Sequence, residues 1–170
     1  IQSPRRTVEQ VIEIFRRYLY LPYPYPLIAN LGAVMANYLP GDPVWLLTVG
    51  SPSTGKTEII HSILALPHVV PVAVLSEGAL LSGCARRETA FGAKGGLLRE
   101  IGEFGILAVK DFSGVLTMHK DARGPVLSAL REVYDGAWTR YVGTDGGKKL
   151  EWKGKCGFIG CATGAIDTQH

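Results

Sequence analysis

The sequence predicts a single α/β domain built on a parallel sheet with helices packed on its faces. Three observations lead there. Short apolar runs alternate along the chain with segments of helical periodicity, the pattern that covers a parallel sheet. One of the runs, Val44-Trp45-Leu46-Leu47-Thr48-Val49, is nearly all apolar, as in a strand buried on both faces. The clearest helix, Pro125 to Tyr134, carries Val126, Leu127, Leu130 and Val133 as one stripe and stops at Asp135-Gly136. With 170 residues the chain is long enough for one full core.

Thr7 to Leu21 places Val8, Val11, Ile12, Phe15, Tyr18 and Leu19 at three- and four-residue intervals, which predicts an amphipathic helix. Pro22-Tyr23-Pro24-Tyr25-Pro26 ends it, because repeated prolines remove donors and hold the backbone extended. A second helix is expected from Leu27 to Tyr38, closed by the turn Pro40-Gly41-Asp42-Pro43. Residues 1–42 therefore read as a helical lead-in with a proline-rich connector, and 43–170 as the core.

Val44 to Val49 runs straight into Gly50. The helix after Gly55 is expected to reach about Leu66, with Ile59, Ile60, Ile63 and Leu64 facing the sheet, and Pro67 closes it. Val69 to Leu75, Ile106 to Val109 and Gly157 to Cys161 supply three further strands. Between Trp138 and Trp152, two β-prone runs around Asp145-Gly146-Gly147 form a hairpin.

Composition narrows the class. Apolar residues make up 46% of the chain, yet no apolar run of about 18 lacks a charge, Pro or Gly, so a soluble protein without a membrane span is expected; an odd number of cysteines, three, fits a reducing, cytoplasmic compartment. The start at Ile1, without an initiator Met, reads as part of a longer protein. Cys84, Cys156 and Cys161 have no metal-ligand spacing, and Cys156 and Cys161 fall on opposite faces of one strand. His61, His68, His119 and His170 stand apart and form no catalytic or zinc constellation. The net charge of +3 permits nucleic acid binding without demanding it.

The chemistry concentrates in Gly50-Ser51-Pro52-Ser53-Thr54-Gly55-Lys56-Thr57. A phosphate chain needs many donors at close range, and side chains alone cannot pack around it. Glycines let a loop aim successive backbone N–H groups inward, while the following helix presents its positive end. The pattern predicts a nucleotide site spanning Gly50 through Glu58, with ATP as ligand, Lys56 on the β- and γ-phosphates and the Thr57 hydroxyl on Mg2+.

Magnesium also needs a carboxylate, and Asp111 follows the Ile106–Val109 strand where one is required. Two registers are open. In one, Asp111 holds the metal and the base comes from elsewhere or is absent; in the other, Lys110 takes the metal position and Asp111 the base position. Thr163 emerges at the carboxyl end of the last strand, where ligands bind in open α/β sheets, and is expected to meet the γ-phosphate or the attacking water.

These motifs, with Val109-Lys110-Asp111-Phe112-Ser113, Leu130-Arg131-Glu132-Val133-Tyr134-Asp135-Gly136 and the stretch from Trp152 through Ala165-Ile166-Asp167, resemble AAA+ P-loop ATPases. The closer resemblance is to phage- and prophage-associated ATPase or helicase proteins with a Lys-Asp-Phe Walker B, over about Pro43 to Asp167. It implies a sheet order 5-1-4-3-2, a homo-oligomeric ring or partial ring, and an arginine finger from a neighbouring subunit. The chain departs from that pattern in ending at His170, before the fifth strand and the lid. Arg123 and Arg131 read as packing or solvated residues rather than fingers.

In several AAA+ helicases a hairpin before this last strand contacts DNA. Here Gly136 to Lys155 holds five basic residues (Arg140, Lys148, Lys149, Lys153, Lys155) against two acidic ones (Asp145, Glu151). With Trp138, Tyr141 and Trp152 alongside, the segment suits phosphate contact with base stacking. A solvated hairpin with an aromatic cross-strand pair fits the same residues. The sequence thus favours a Mg-dependent, helicase-like ATPase acting on DNA. A small kinase using the Arg86-Arg87 pair, and a nucleotide-switched binding module without hydrolysis, are the alternatives.

Overall fold

The computed structural model describes residues 5–83, 95–143 and 147–164. The expectations on Cys84, Arg86-Arg87, Asp145-Gly146, Ala165-Ile166-Asp167 and His170 lie outside the described residues. Along the described chain the elements are α1 (Val8–Arg16), α2 (Tyr25–Asn37), β1 (Trp45–Val49), α3 (Lys56–Ile63), β2 (Val69–Val72) and α4 (Glu77–Leu80). They continue with α5 (Leu97–Ile101), β3 (Phe104–Val109), α6 (Ser113–Leu116), α7 (Lys120–Tyr134), β4 (Ala137–Val142), β5 (Lys148–Lys153) and β6 (Lys155–Ala162).

Four strands form one parallel sheet in the order β1-β6-β3-β2, and β4 and β5 form a separate antiparallel hairpin. Counting only the sheet strands, the last lies between the first and the third, as the order implied by the resemblance requires of these four. The architecture is α/β, a parallel four-stranded sheet flanked by helices, compatible with a P-loop fold without being specific to it.

Strand periodicity divides the core into two layers. Ile106 and Ala108 of β3 join Ile159 and Cys161 of β6 on the face covered by α2 and α3, with Val34, Ile60 and Ile63. Leu107 and Val109 join Cys156 and Phe158 on the other face, under Leu80, Leu98, Leu130 and Val133. The two cysteines are free and sit on opposite faces, as their spacing predicts.

Several elements differ in extent from the sequence reading, each for a local reason. α1 stops at Arg16 rather than Leu21, and its end tightens into i→i−3 bonds, Arg17 N→Ile14 O at 3.2 Å and Tyr18 N→Phe15 O at 3.0 Å. α2 starts at Tyr25, so that Pro26 occupies the first turn, where a missing N–H does no harm. Leu27, Ala33 and Val34 bury this helix in the core, and the division expected at residue 42 falls in the turn that follows it.

β1 is only half-buried, not buried on both faces, because it is an edge strand. β2 ends at Val72 instead of Leu75 and contains Pro71, which an edge strand tolerates. α7 begins at Lys120, five residues before Pro125; the bond that Pro125 cannot make belongs to the solvent-exposed start of the helix.

The hairpin corrects one expectation. Trp138 and Trp152 are direct cross-strand partners and are only 8% and 6% exposed. The indole of Trp152 donates to Gly102 O at 2.7 Å, and Arg140 donates to Leu81 O at 2.7 Å, docking the hairpin beside α4 and α5. Neither tryptophan is free to stack on a base, because alternation along the strands turns both inward. Tyr141, 70% exposed and opposite Lys149, is the aromatic on the outer face.

Among the described residues, no helix is long and apolar enough to cross a membrane.

Candidate functional site

The parallel register brings three strand ends together. Val49 of β1 pairs with Ala162 of β6, and Val109 of β3 with Gly160, so β6 lies between the strands that lead to Gly50 and to Asp111. Two hydrogen bonds carry the alignment past the sheet: Gly50 N donates to Ala162 O at 3.2 Å, and Phe112 N to Cys161 O at 2.7 Å. Gly50, Thr163 and Asp111 therefore stand in a row along the carboxyl edge, with Thr163 in the middle.

The Gly50 loop turns by means of two left-handed residues, Ser53 at φ 61° and Gly55 at φ 79°. Glycine adopts that conformation freely and serine does so at a cost, so the Ser53 backbone is held by the loop around it. Lys56 opens α3, and the first intrahelical bond, Ile59 N→Gly55 O at 3.2 Å, leaves the N–H groups of Lys56, Thr57 and Glu58 without an intrahelical acceptor. The Lys56 ammonium donates to Gly50 O at 2.8 Å, Ser51 O at 2.5 Å and Thr54 Oγ1 at 3.1 Å, matching its three protons. Thr54 in turn donates to Ser51 O at 2.9 Å.

A cavity of about 930 Å³ opens over these strand ends. Gly50, Pro52, Ser53, Thr54, Gly55, Lys56, Thr57 and Glu58 line one side, and Lys110, Asp111, Cys161, Ala162 and Thr163 another. Ser51 does not line it and contributes only its carbonyl to Lys56. Lys110 and Asp111 are both exposed at the rim, so the two registers for the acidic position share one wall.

No protein-family model matches the sequence, and no curated protein matches it. The chemistry of the site must therefore be read from its own residues.

Three features escaped the sequence reading. Leu19, Tyr20 and Leu21, expected in the first helix, and Pro22, Tyr23 and Pro26, expected only as a connector, form an apolar wall of the cavity. Cys161 lies on the cavity side of β6, and burial pushes its thiol up to about 11, with Lys56 opposing the shift and Asp111 adding to it. Ser113 is the third: its N–H donates to Asp111 Oδ1 at 2.9 Å, and its hydroxyl meets Thr163. Serine at the second position after the acidic residue was visible in the sequence, but nothing local reveals a partner 50 positions away.

Phe112, the residue after Asp111, is buried edge-on against Phe158 with ring centroids 5.5 Å apart. Among the described residues no group of three or more His, Cys, Asp or Glu could hold a metal ion unaided. A magnesium ion carried by phosphates needs only one or two protein ligands, because it keeps water and phosphate oxygens for the rest. Thr57 and Asp111, which line the same cavity, fit that smaller demand. Asp111 also has capacity to spare, since among the described residues its one hydrogen bond engages Oδ1 alone.

Proposed function

We propose that the chain is the core of a Mg-dependent ATPase of AAA+ type, a helicase-like or motor subunit that works as a ring or partial ring on DNA. The observation that carries this reading is the convergence of the Gly50 loop, Thr163 and Asp111 on adjacent strand ends over one cavity. Cavities of this size hold small ligands. The cavity also pairs a phosphate-compatible side, with loop amides and Lys56, with an apolar side at Tyr20, Pro22 and Tyr23 suited to a purine ring.

In this reading the Lys56 ammonium exchanges its loop carbonyls for phosphate oxygens, and the free N–H groups of Lys56, Thr57 and Glu58 support the phosphates at the helix start. Thr57 and Asp111 hold the magnesium ion, which when bound neutralises charge developing on the β- and γ-phosphates. Thr163 donates its hydroxyl toward the γ-phosphate or the attacking water. Catalysis is then mostly positioning and charge stabilisation. The exposed Lys149 and Lys153, on one strand face with Tyr141, and Lys148 beside the turn are the residues offered to DNA.

Phe112, buried at the position after Asp111 where many ATPases carry a glutamate that polarises the attacking water, favours a second reading, a nucleotide-switched module that binds without hydrolysing. Phosphate release separates the two. A hydrolase releases phosphate from ATP with Mg2+ and no acceptor, loses that activity in Asp111→Ala, and speeds up per chain with concentration as neighbours complete the site. Phosphate transfer that requires an acceptor would indicate a kinase, and no turnover at any concentration would leave the switch.

A further inference from the structure

We propose that Ser113 is a positioning residue that orients both Asp111 and Thr163 and so makes the site respond to a γ-phosphate; this rests on the ATP reading above. Ser113 opens α6, four residues past the end of β3, and is 8% exposed. A hydroxyl so buried needs partners. Its oxygen accepts from Thr163 N at 2.8 Å and lies 3.1 Å from Thr163 Oγ1. Its own N–H donates to Asp111 Oδ1 at 2.9 Å. One residue thus grips the acidic group of the β3 end and both polar atoms of the β6 end.

The position follows from the sheet. Phe112 N→Cys161 O is the last backbone bond joining the β3 and β6 ends, and the Ser113 hydroxyl takes over where the ladder stops, serving Thr163 N. A second anchor holds Ser113 from behind, since Thr117 Oγ1 donates to Ser113 O at 3.0 Å.

Proton arithmetic gives the link a direction. Ser113 Oγ has one proton and two lone pairs, and one lone pair serves Thr163 N. Between the two hydroxyls either can donate. If Thr163 donates to Ser113, Thr163 presents only lone pairs to the cavity and repels an anion. If Ser113 donates to Thr163, the Thr163 proton is free to point into the cavity and meet an anionic oxygen. A γ-phosphate beside Thr163 selects the second arrangement, and a chain of Ser113 to Thr163 to phosphate strengthens each bond in it. A diphosphate, one phosphoryl shorter, does not reach this relay. Holding Oδ1 of Asp111 with a backbone N–H likewise turns the carboxylate's remaining oxygen to other partners.

The test is calorimetric titration of the whole chain with Mg-ADP and with a Mg-bound ATP analogue whose β–γ bridge resists hydrolysis, with the nucleotide-free melting midpoint recorded for each variant. Ser113→Ala is expected to keep ADP affinity within about twofold and to weaken the triphosphate about three- to ten-fold, the worth of the one neutral hydrogen bond that orients Thr163. Ser113→Thr restores the hydroxyl and should restore the preference. Thr163→Val should show the same selective loss, and the double variant no more than either single one. If Ser113→Ala does not fold, Ser113→Cys replaces it, with a weaker donor and the same expected loss. An unchanged triphosphate-to-diphosphate ratio in the Ser113 variant, or additive losses with Thr163→Val, overturns the assignment and leaves the ATP reading standing. A wild-type chain that binds neither nucleotide overturns both.

Discussion

Asn37 and Val44 exchange two hydrogen bonds: Val44 N donates to Asn37 Oδ1 at 2.9 Å, and Asn37 Nδ2 donates to Val44 O at 3.0 Å. The same amide nitrogen donates to Ala33 O at 2.9 Å, so one side chain at the end of α2 fixes the entry to β1. Asn37 is packed against Gly157 of β6, where an added Cβ would come within 2.6 Å of the carboxamide. The strand that delivers the Gly50 loop is thereby held at its start by a polar clamp that only glycine opposite can admit.

Replacing Asn37 with Leu should leave both polar groups of Val44 without that partner, and stability should fall by about 1–3 kcal/mol. Gly157→Ala should fall by a similar amount through overpacking. Urea midpoints at constant slope would record both effects. A wild-type midpoint for either variant would mean that the clamp contributes nothing to stability.

The hairpin yields a prediction that separates its two faces. Lys149 is paired with Glu151 at 2.5 Å, which raises its proton affinity, whereas Lys148 stands beside Gly147 at the turn. Lys148→Ala with Lys149→Ala should leave ATP binding intact and flatten the salt dependence of single-stranded DNA binding by the oligomer, by a log–log slope of about 0.7 per lost phosphate contact. Tyr141→Ala should weaken DNA binding by about 1–3 kcal/mol without changing the melting midpoint, while Trp138→Ala should lower the midpoint. Fluorescence anisotropy against salt supplies the binding arm. Identical slopes and affinities in all variants would reduce the hairpin to a structural element.

The buried thiols set an alkaline limit. Burial raises Cys156 to about 12 and Cys161 to about 11, against about 8.5 for an unfolded cysteine. Between these values the unfolded chain gives up protons that the folded chain keeps, so the contribution is whole below about pH 8.5 and is lost as pH rises toward the folded values. Denaturant midpoints from pH 8 to 10 should decline more steeply in wild type than in a chain carrying Cys156→Ala and Cys161→Ala. Parallel curves would refute this linkage.

How much of this was legible in the sequence follows from the range of each signal. The Gly50 loop, Lys56 and the strand before it are local, and their pattern fixed them. Cys156 and Cys161 fell on opposite faces because strand alternation is also local. The half-burial of β1 was not legible, because an edge strand and a central one can carry the same apolar run and only pairing distinguishes them. Whether Trp138 and Trp152 stack on a base or pair across the strands stayed open for the same reason: a residue's spacing says which face it shares, but not which face meets the core. Ser113 and the wall at Tyr20 and Tyr23 depend on contacts between distant segments. Neither composition nor periodicity encodes such contacts.

The central claim is that the Gly50–Glu58 loop holds nucleotide phosphates through Lys56, and calorimetric titration of ATP with Mg2+ into wild type, Lys56→Ala and Asp111→Ala tests it most directly. Lys56→Ala should weaken binding by about one to two decades, the worth of a charge-assisted contact of about 1.5–3 kcal/mol, while Asp111→Ala retains much of the affinity. ATP bound as tightly by Lys56→Ala as by wild type would contradict it.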